Sequence, residues 1–242
     1  MRVPRVYSPQ PLSSGQIISL NEAASHYLSR VLRLQTGREL VIFNGEGGEY
    51  RGKIQALGKK QVDVALGEFV AEDRESPLHL ELGIGISRGE RLDWVLQKAT
   101  ELGVTRITPL FTERTEVKLG GERLDKKMAH WQQILVSACE QCQRNRLPEL
   151  SAPQSLADWQ NQCSAEWRFV LHHRDNQSLA QASAPQSVAL LIGPEGGLAD
   201  EEILAAEGAG FKPLTLGPRV LRTETAPLVA ISLVQYLWGD LR

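Results

Sequence analysis

The sequence predicts a small β domain followed by a larger α/β domain with a mostly parallel sheet, and three observations carry that prediction. Up to residue 70 the chain offers short β-rich runs separated by glycine turns. From Leu78 onward, strand-like apolar runs alternate with segments of helical spacing. Between the two lies AEDRESP (71–77), which is charged, polar and ends in proline, as a linker does. The division expected is a small barrel or tight sheet over 1–72, a linker over 73–77 and an α/β domain over 78–242.

In the first part, ELVIFNG (39–45), EYRGKIQAL (49–57) and QVDVALGEF (61–69) read as strands. The turns between them are Asn44–Gly48 and Gly58–Lys60, and one helix is expected around Ala23–Leu32. In the second part, LHLELGIGI (78–86) is a strand. RLDWVLQKATEL (91–102) follows, with Leu92, Val95, Leu96, Ala99 and Leu102 at helical spacing and Gly103 to close it. VTRITPLF (104–111) is the next strand, followed by a long helix near 122–144. Further strands are WRFVLH (167–172), VALLIG (188–193) and FKPLTLG (211–217), with a helix before the last that Asp200 could cap. The final helix, TAPLVAISLVQYLW (225–238), is apolar nearly all round, whereas a surface helix keeps a polar face. A second copy covering its outer side explains this better than a core of the size available here.

Composition narrows the class. The chain has 242 residues, 42% of them hydrophobic, and a formal net charge of −2. It has no apolar run long enough to span a bilayer and no signal-peptide pattern in MRVPRVYSPQPL, so a cytoplasmic location is expected. Three cysteines argue against a disulfide framework. Residues 1–70 carry nine Lys and Arg against six Asp and Glu, a surplus that a solvated face explains as readily as an RNA surface.

Several motifs fail on their own chemistry. GIGISRG (83–89) has Arg88 where a dinucleotide fingerprint needs its third glycine, so a nucleotide-dependent oxidoreductase is disfavoured. No GxxxxGK[ST] is present. Cys139 and Cys142 form a CxxC in mid-helix without a second ligand pair, and His172 and His173 would point to opposite faces of a strand. Neither implies a metal.

Other stretches resist dismissal. In parallel α/β sheets, ligands gather beyond the carboxyl ends of the strands. LIGPEGGL (191–198) and LGPRVLRTETA (216–226) leave two such ends, and WRFVLH leaves a third. Glycine beside proline gives a backbone that approaches a ligand closely and flexes little. Glu113–Lys118 follows another strand, and Glu140–Arg146 closes the long helix. Arginines there suit a solvated helix end and a phosphate grip equally.

Taken together, ATELGV (99–104), ITPLFTERTEVK (107–118), ACEQCQRNRLPEL (138–150), LLIGPEGGL (190–198) and LGPRVLRTETAPLVAI (216–231) resemble the RsmE family of SPOUT-class methyltransferases. The likeness spans nearly all of residues 78–242. Cys142-Gln143 departs from the small residue and glycine common after EQ in that family. The resemblance implies a trefoil-knotted parallel-sheet domain preceded by a small PUA-like β-barrel, and a homodimer through the last helix. It also implies S-adenosylmethionine as cofactor, no metal, and methylation of N3 of a uridine in 16S rRNA, within the 30S subunit.

By the same resemblance, the cofactor pocket comprises Leu171, His172, Ile192, Gly193, Pro194, Glu195, Gly196, Gly197, Leu216, Gly217, Val220, Leu221, Arg222, Thr225 and Ala226. Arg222 would steady charge developing on the base. Glu195 or Glu224 would accept or orient the N3 proton, although both could equally pin their loops by bonding backbone N–H groups. Arg2, Arg5, Arg30, Arg33, Arg114, Arg144 and Arg146 are the candidate RNA contacts, with Arg114 a candidate to reach across the dimer. Two rival readings remain open: a SPOUT enzyme acting on a tRNA base or a ribose 2′-hydroxyl, and a non-catalytic rRNA-binding assembly factor.

Overall fold

A computed structural model of the chain describes residues 3–58, 60–117, 119–172 and 183–241. These form two compact units, one of residues 1–75 with 139–147, the other of 76–138 with 148–242.

The first unit is a five-stranded sheet of β1 (Arg5–Tyr7), β2 (Ile17–Ser19), β3 (Glu39–Phe43), β4 (Glu49–Leu57) and β5 (Val62–Val70). Its order is β1-β3-β4-β5-β2, antiparallel except for the β1–β3 pair. Alternate residues Leu40 and Ile42 of β3, and Val62, Val64 and Leu66 of β5, face one core with Ile18 and Leu28. Helix α1 (Glu22–His26) is capped by the Asn21 side chain, which accepts from Ala24 N–H, and continues into a π-helical turn, Tyr27–Val31. That wider turn places Leu28 in the core and leaves Arg30 outside.

The second unit is built on a parallel sheet ordered β12-β10-β11-β6-β7-β8, with β9 also on β7. The strands are β6 (His79–Gly85), β7 (Arg106–Phe111), β8 (Glu149–Leu150), β9 (Gln154–Ser155), β10 (Trp167–Leu171), β11 (Ser187–Ile192) and β12 (Lys212–Leu214). Helices α2 (Arg91–Glu101), α3 (Glu122–Cys142), α4 (Leu156–Gln162), α5 (Asp200–Gly208) and α6 (Ala226–Trp238) complete the chain. From β10 the chain moves inward to β11, crosses back to β12 beyond β10, and returns as α6 onto α2 and β11. This doubling back is the path of the knotted fold class.

Period-two burial sorts the strands onto two faces. Leu80, Leu82 and Ile84 of β6 and Val188, Leu190 and Ile192 of β11 pack with α2, α3 and α6. Ala189 and Leu191 turn the other way, toward α4 and α5. Each fully buried aliphatic side chain contributes about 1.5–3 kcal/mol. The glycines of GIGISRG are explained here: a Cβ on Gly83 would lie 2.6 Å from the Trp159 ring, and one on Gly85 would lie 2.5 Å from Pro194. They make room for packing.

Helix α6 carries one buried polar residue. Gln235 donates to the Leu102 carbonyl (2.9 Å) and accepts from Ser76 Oγ (2.7 Å). These bonds tie the last helix to the end of α2 and to the first residue of its unit. Asp200 is not the cap of α5. It is the first helical residue, and Glu202 accepts from Ala199 N–H (2.9 Å) instead. Among the described residues no helix is long and apolar enough to cross a membrane.

Candidate active site at the strand ends

The loops after β7, β10, β11 and β12, with Arg91 at the start of α2, lie at the carboxyl ends of the parallel strands and line a cavity of about 710 Å³. All but one of the pocket residues expected from the sequence line it. Leu171 and His172 come from the end of β10, and Ile192 to Gly197 from β11 and its loop. Leu216, Gly217, Val220, Leu221, Arg222 and Ala226 come from the segment between β12 and α6. Thr225 is the exception; it immediately precedes α6, and its N–H bonds the Arg222 carbonyl (2.9 Å).

The loop after β11 is folded tightly on itself. Gly197 N–H bonds the Pro194 carbonyl (2.8 Å), and Gly197 sits at φ +70°, where glycine is favoured. A Cβ on Gly193 would lie 2.8 Å from the backbone of Gly197 and Leu198. Outside staples fix it further. Arg114 Nη1 donates to the Gly196 carbonyl (2.7 Å). Glu195 Oε1 accepts from Arg88 N–H (2.8 Å) and from Arg91 Nη1 (2.7 Å).

The Glu195 carboxyl shows the balance of forces. Burial works to raise it, but backbone N–H donors at Glu195 and Arg88 and the Arg91 guanidinium outweigh that and hold it below its ordinary value. A carboxylate so engaged is a weak proton acceptor. Glu224, from the second loop, lies 3.8 Å from Arg91 Nε. Arg222 and Arg219 are exposed at the cavity wall.

Arg91 is not among the residues expected from the sequence, where it stands only as the first residue of the helix RLDWVLQKATEL (91–102). The strand-end rule that singled out the other loops applies to β6 as well and points to it. Leu214, Thr215 and Arg219 also line the cavity without having been singled out. Thr215 Oγ1 donates to the His172 carbonyl (3.2 Å), joining two of the loops.

The expected RNA contacts divide. Arg5 and Arg144 are corrected: both are buried in the N-terminal unit. Arg5 pairs with Glu49 (2.6 Å) and donates to Asn145, and Arg144 pairs with Glu75 (2.5 Å). A buried guanidinium paired with a half-buried carboxylate is poorly placed to meet a phosphate. Arg30, Arg33 and Arg146 are exposed in that unit, whereas Arg114 belongs to the cavity wall. Arg2 and His173 lie outside the described residues.

Cys139 is buried in α3. A hydrogen bond with Cys142 and burial push its thiol far above the ordinary range, the opposite of a reactive cysteine. Among the described residues no group of three His, Cys, Asp or Glu side chains converges as metal ligands would.

Comparison with known proteins agrees with this geometry. Residues 74–235 match the model of an RNA methyltransferase domain, and residues 20–67 that of an RNA methyltransferase PUA domain. A ribosomal RNA small subunit methyltransferase E from Buchnera aphidicola subsp. Schizaphis graminum is 36% identical, covering 99% of this chain and 98% of its own. A Legionella pneumophila methyltransferase solved with bound SAM is 44% identical over 100% of both chains, with a TM-score of 0.97. The ribosomal RNA small subunit methyltransferase E of Neisseria gonorrhoeae, solved bound to S-adenosyl methionine, is 36% identical over 100% of both chains, with a TM-score of 0.93. The chain belongs to the ribosomal RNA small subunit methyltransferase E family.

Proposed function

We infer that this protein transfers a methyl group from S-adenosylmethionine to N3 of a uridine in the 16S rRNA of the small ribosomal subunit. The observation that carries the reading is that the LIGPEGGL and LGPRVLR loops wall the same cavity at the strand ends, in a chain of this family.

The residues present fit the cofactor. A cavity of about 710 Å³ is of the size that holds a nucleoside-bearing ligand. The backbone N–H groups of Gly193 and Gly196, which the loop's own turn does not use, are offered to a ribose or an adenine edge, and Leu171, Ile192, Leu216 and Leu221 offer apolar walls. When bound, S-adenosylmethionine supplies an electrophilic methyl on a sulfonium.

The chain's own part is positioning and charge. Uridine N3 carries a proton that must leave as the nitrogen attacks. Arg222, exposed at the cavity wall, steadies the negative charge that gathers on the base. Glu195 acts as a latch, since two donors already claim its Oε1. That leaves Glu224 as the nearer proton acceptor. Arg30, Arg33 and Arg146 of the N-terminal unit serve RNA phosphates. The outer side of α6 exposes Val229 (40%) and Tyr236 (63%), which suits an interface between two copies. A ribosomal substrate implies a cytoplasmic location and, for a mature site, the 30S subunit.

The test is transfer of tritiated methyl from S-adenosylmethionine to 30S subunits from cells lacking the native enzyme, followed by nucleoside analysis. The expected product is 3-methyluridine. Label in another nucleoside would overturn the specificity. Tight cofactor binding without labelling of 30S, but with labelling of tRNA, would move the substrate to tRNA.

A further inference from the structure

A second cavity, of about 540 Å³, opens beside the first and shares two of its wall residues, Arg91 and Glu224. Its other walls are Arg88, Gly89, Glu90 and Trp94. Helix α2 otherwise obeys its amphipathic pattern, with Leu92, Val95, Leu96 and Ala99 buried. Trp94 breaks it: the largest side chain of the helix is 46% exposed and faces this cavity. Leaving an indole in water forgoes the burial that an aromatic ordinarily gains.

The surroundings limit what can cover it. The rim is charged, with Arg88, Glu90, Arg91 and Glu224 around one aromatic plane. The core of a contact between protein copies is apolar and depleted of charge, as the outer side of α6 is and this rim is not. A nucleotide matches both features, with a π face for the indole and anionic oxygens for a guanidinium. Arg88 is the cation placed for that, its side chain 66% exposed and paired only at the surface with Glu116. Gly89 on its wall takes a left-handed backbone, φ +64°, with open space around it.

We propose that this cavity is a nucleotide subsite of the RNA substrate. A base flanking the methylated uridine stacks on Trp94, and Arg88 exchanges Glu116 for the adjoining phosphate. The proposal rests on the methyltransferase reading above. It adds the residue that holds the RNA strand in register with the cofactor cavity.

The experiment compares wild type, Trp94→Ala and Trp94→Phe in four measurements. These are methyl transfer to 30S subunits, direct retention of a 16S rRNA fragment on filters, S-adenosylmethionine affinity and elution volume. Base–aromatic stacks lost to alanine predict an RNA KM and Kd about 5- to 100-fold higher for Trp94→Ala. Phenylalanine should restore most of the loss. Cofactor affinity and elution volume should stay at wild-type values. Unchanged RNA binding in Trp94→Ala would overturn the proposal, and so would a shift to a smaller oligomer, which would make Trp94 a contact between copies. A wild type that transfers no methyl to any RNA would sink the underlying reading instead, while filter retention would still report on the stack.

Discussion

The two loops that wall the cavity are built differently. Gly193–Leu198 is closed by its own turn and stapled from outside by Arg88, Arg91 and Arg114. The segment from Gly217 to Thr223 is mostly exposed, Val220 by 89%, and its bonds serve mainly to start α6 through Arg222. The first loop is fixed by bonds within the protein itself. The second carries the exposed side chains that a ligand would cover. The difference teaches that glycine has two uses here. In the first loop it permits close packing of backbone on backbone; in the second, at Gly217 (φ +88°), it permits a conformation.

Predictions sharpen that contrast. The largest effect should come from the exposed loop's chemistry. Arg222→Ala should lower kcat by about 10²–10³, as removal of one preorganised charge-stabilising donor does, with the melting temperature unchanged. Steady-state kinetics with 30S subunits would check this, and an unchanged kcat would remove Arg222 from the chemistry.

Next is the packed loop. In Gly193→Ala the new methyl meets backbone at 2.8 Å with no side chain to move aside. Overpacking of this kind costs about 1–3 kcal/mol. Denaturant unfolding and cofactor titration should both register it.

Smaller is Glu195→Gln. The amide keeps an acceptor for Arg88 N–H but loses the charge facing Arg91, worth about 1 kcal/mol once solvent screening is allowed for. Because the folded carboxyl titrates below its ordinary value of 4.5, its contribution is full at neutral pH and is lost as pH falls through the lower folded value. The gap in melting temperature between wild type and Glu195→Gln should therefore be widest near pH 7 and close in acid. Turnover should survive, as befits a latch; its abolition would make Glu195 the proton acceptor after all.

Smallest is Val220→Ala. It should leave stability untouched and weaken cofactor binding by about fivefold, for roughly one methylene's worth of burial. Calorimetric titration would resolve it.

What the sequence made legible follows the range of the interactions. LIGPEGGL and LGPRVLR could be read because glycine, proline and charge at a strand end act locally, and the strands themselves show their period. The all-apolar TAPLVAISLVQYLW was readable for the same reason. Arg5 and Arg144 could not be, since their partners Glu49 and Glu75 lie 44 and 69 positions away. Gln235 finds Ser76 across 159 positions, so its role as a tie was invisible. Asp200 was the natural cap by composition, yet the cap is Ala199, from whose N–H Glu202 accepts, along with Glu113 N–H (2.8 Å) of a distant loop. The glycines of GIGISRG looked like half a nucleotide motif because their reasons, Trp159 and Pro194, come from other elements. Arg91 was illegible because its partners, Glu195 and Glu224, lie far along the chain.

The account's central claim is that the loop after β11 is a preformed backbone wall for the cofactor, while the loop before α6 is held open by conformation alone. Calorimetric titration of S-adenosylmethionine into wild type, Gly193→Ala and Gly217→Ala tests it most directly. The account predicts one site per chain in the wild type. Gly193→Ala should weaken binding by at least about tenfold, a loss of about 1.4 kcal/mol. Gly217→Ala, with nothing within 4 Å of its new methyl, should show only the smaller penalty of left-handed backbone. Equal affinities for wild type and Gly193→Ala, or a larger loss in Gly217→Ala, would contradict it.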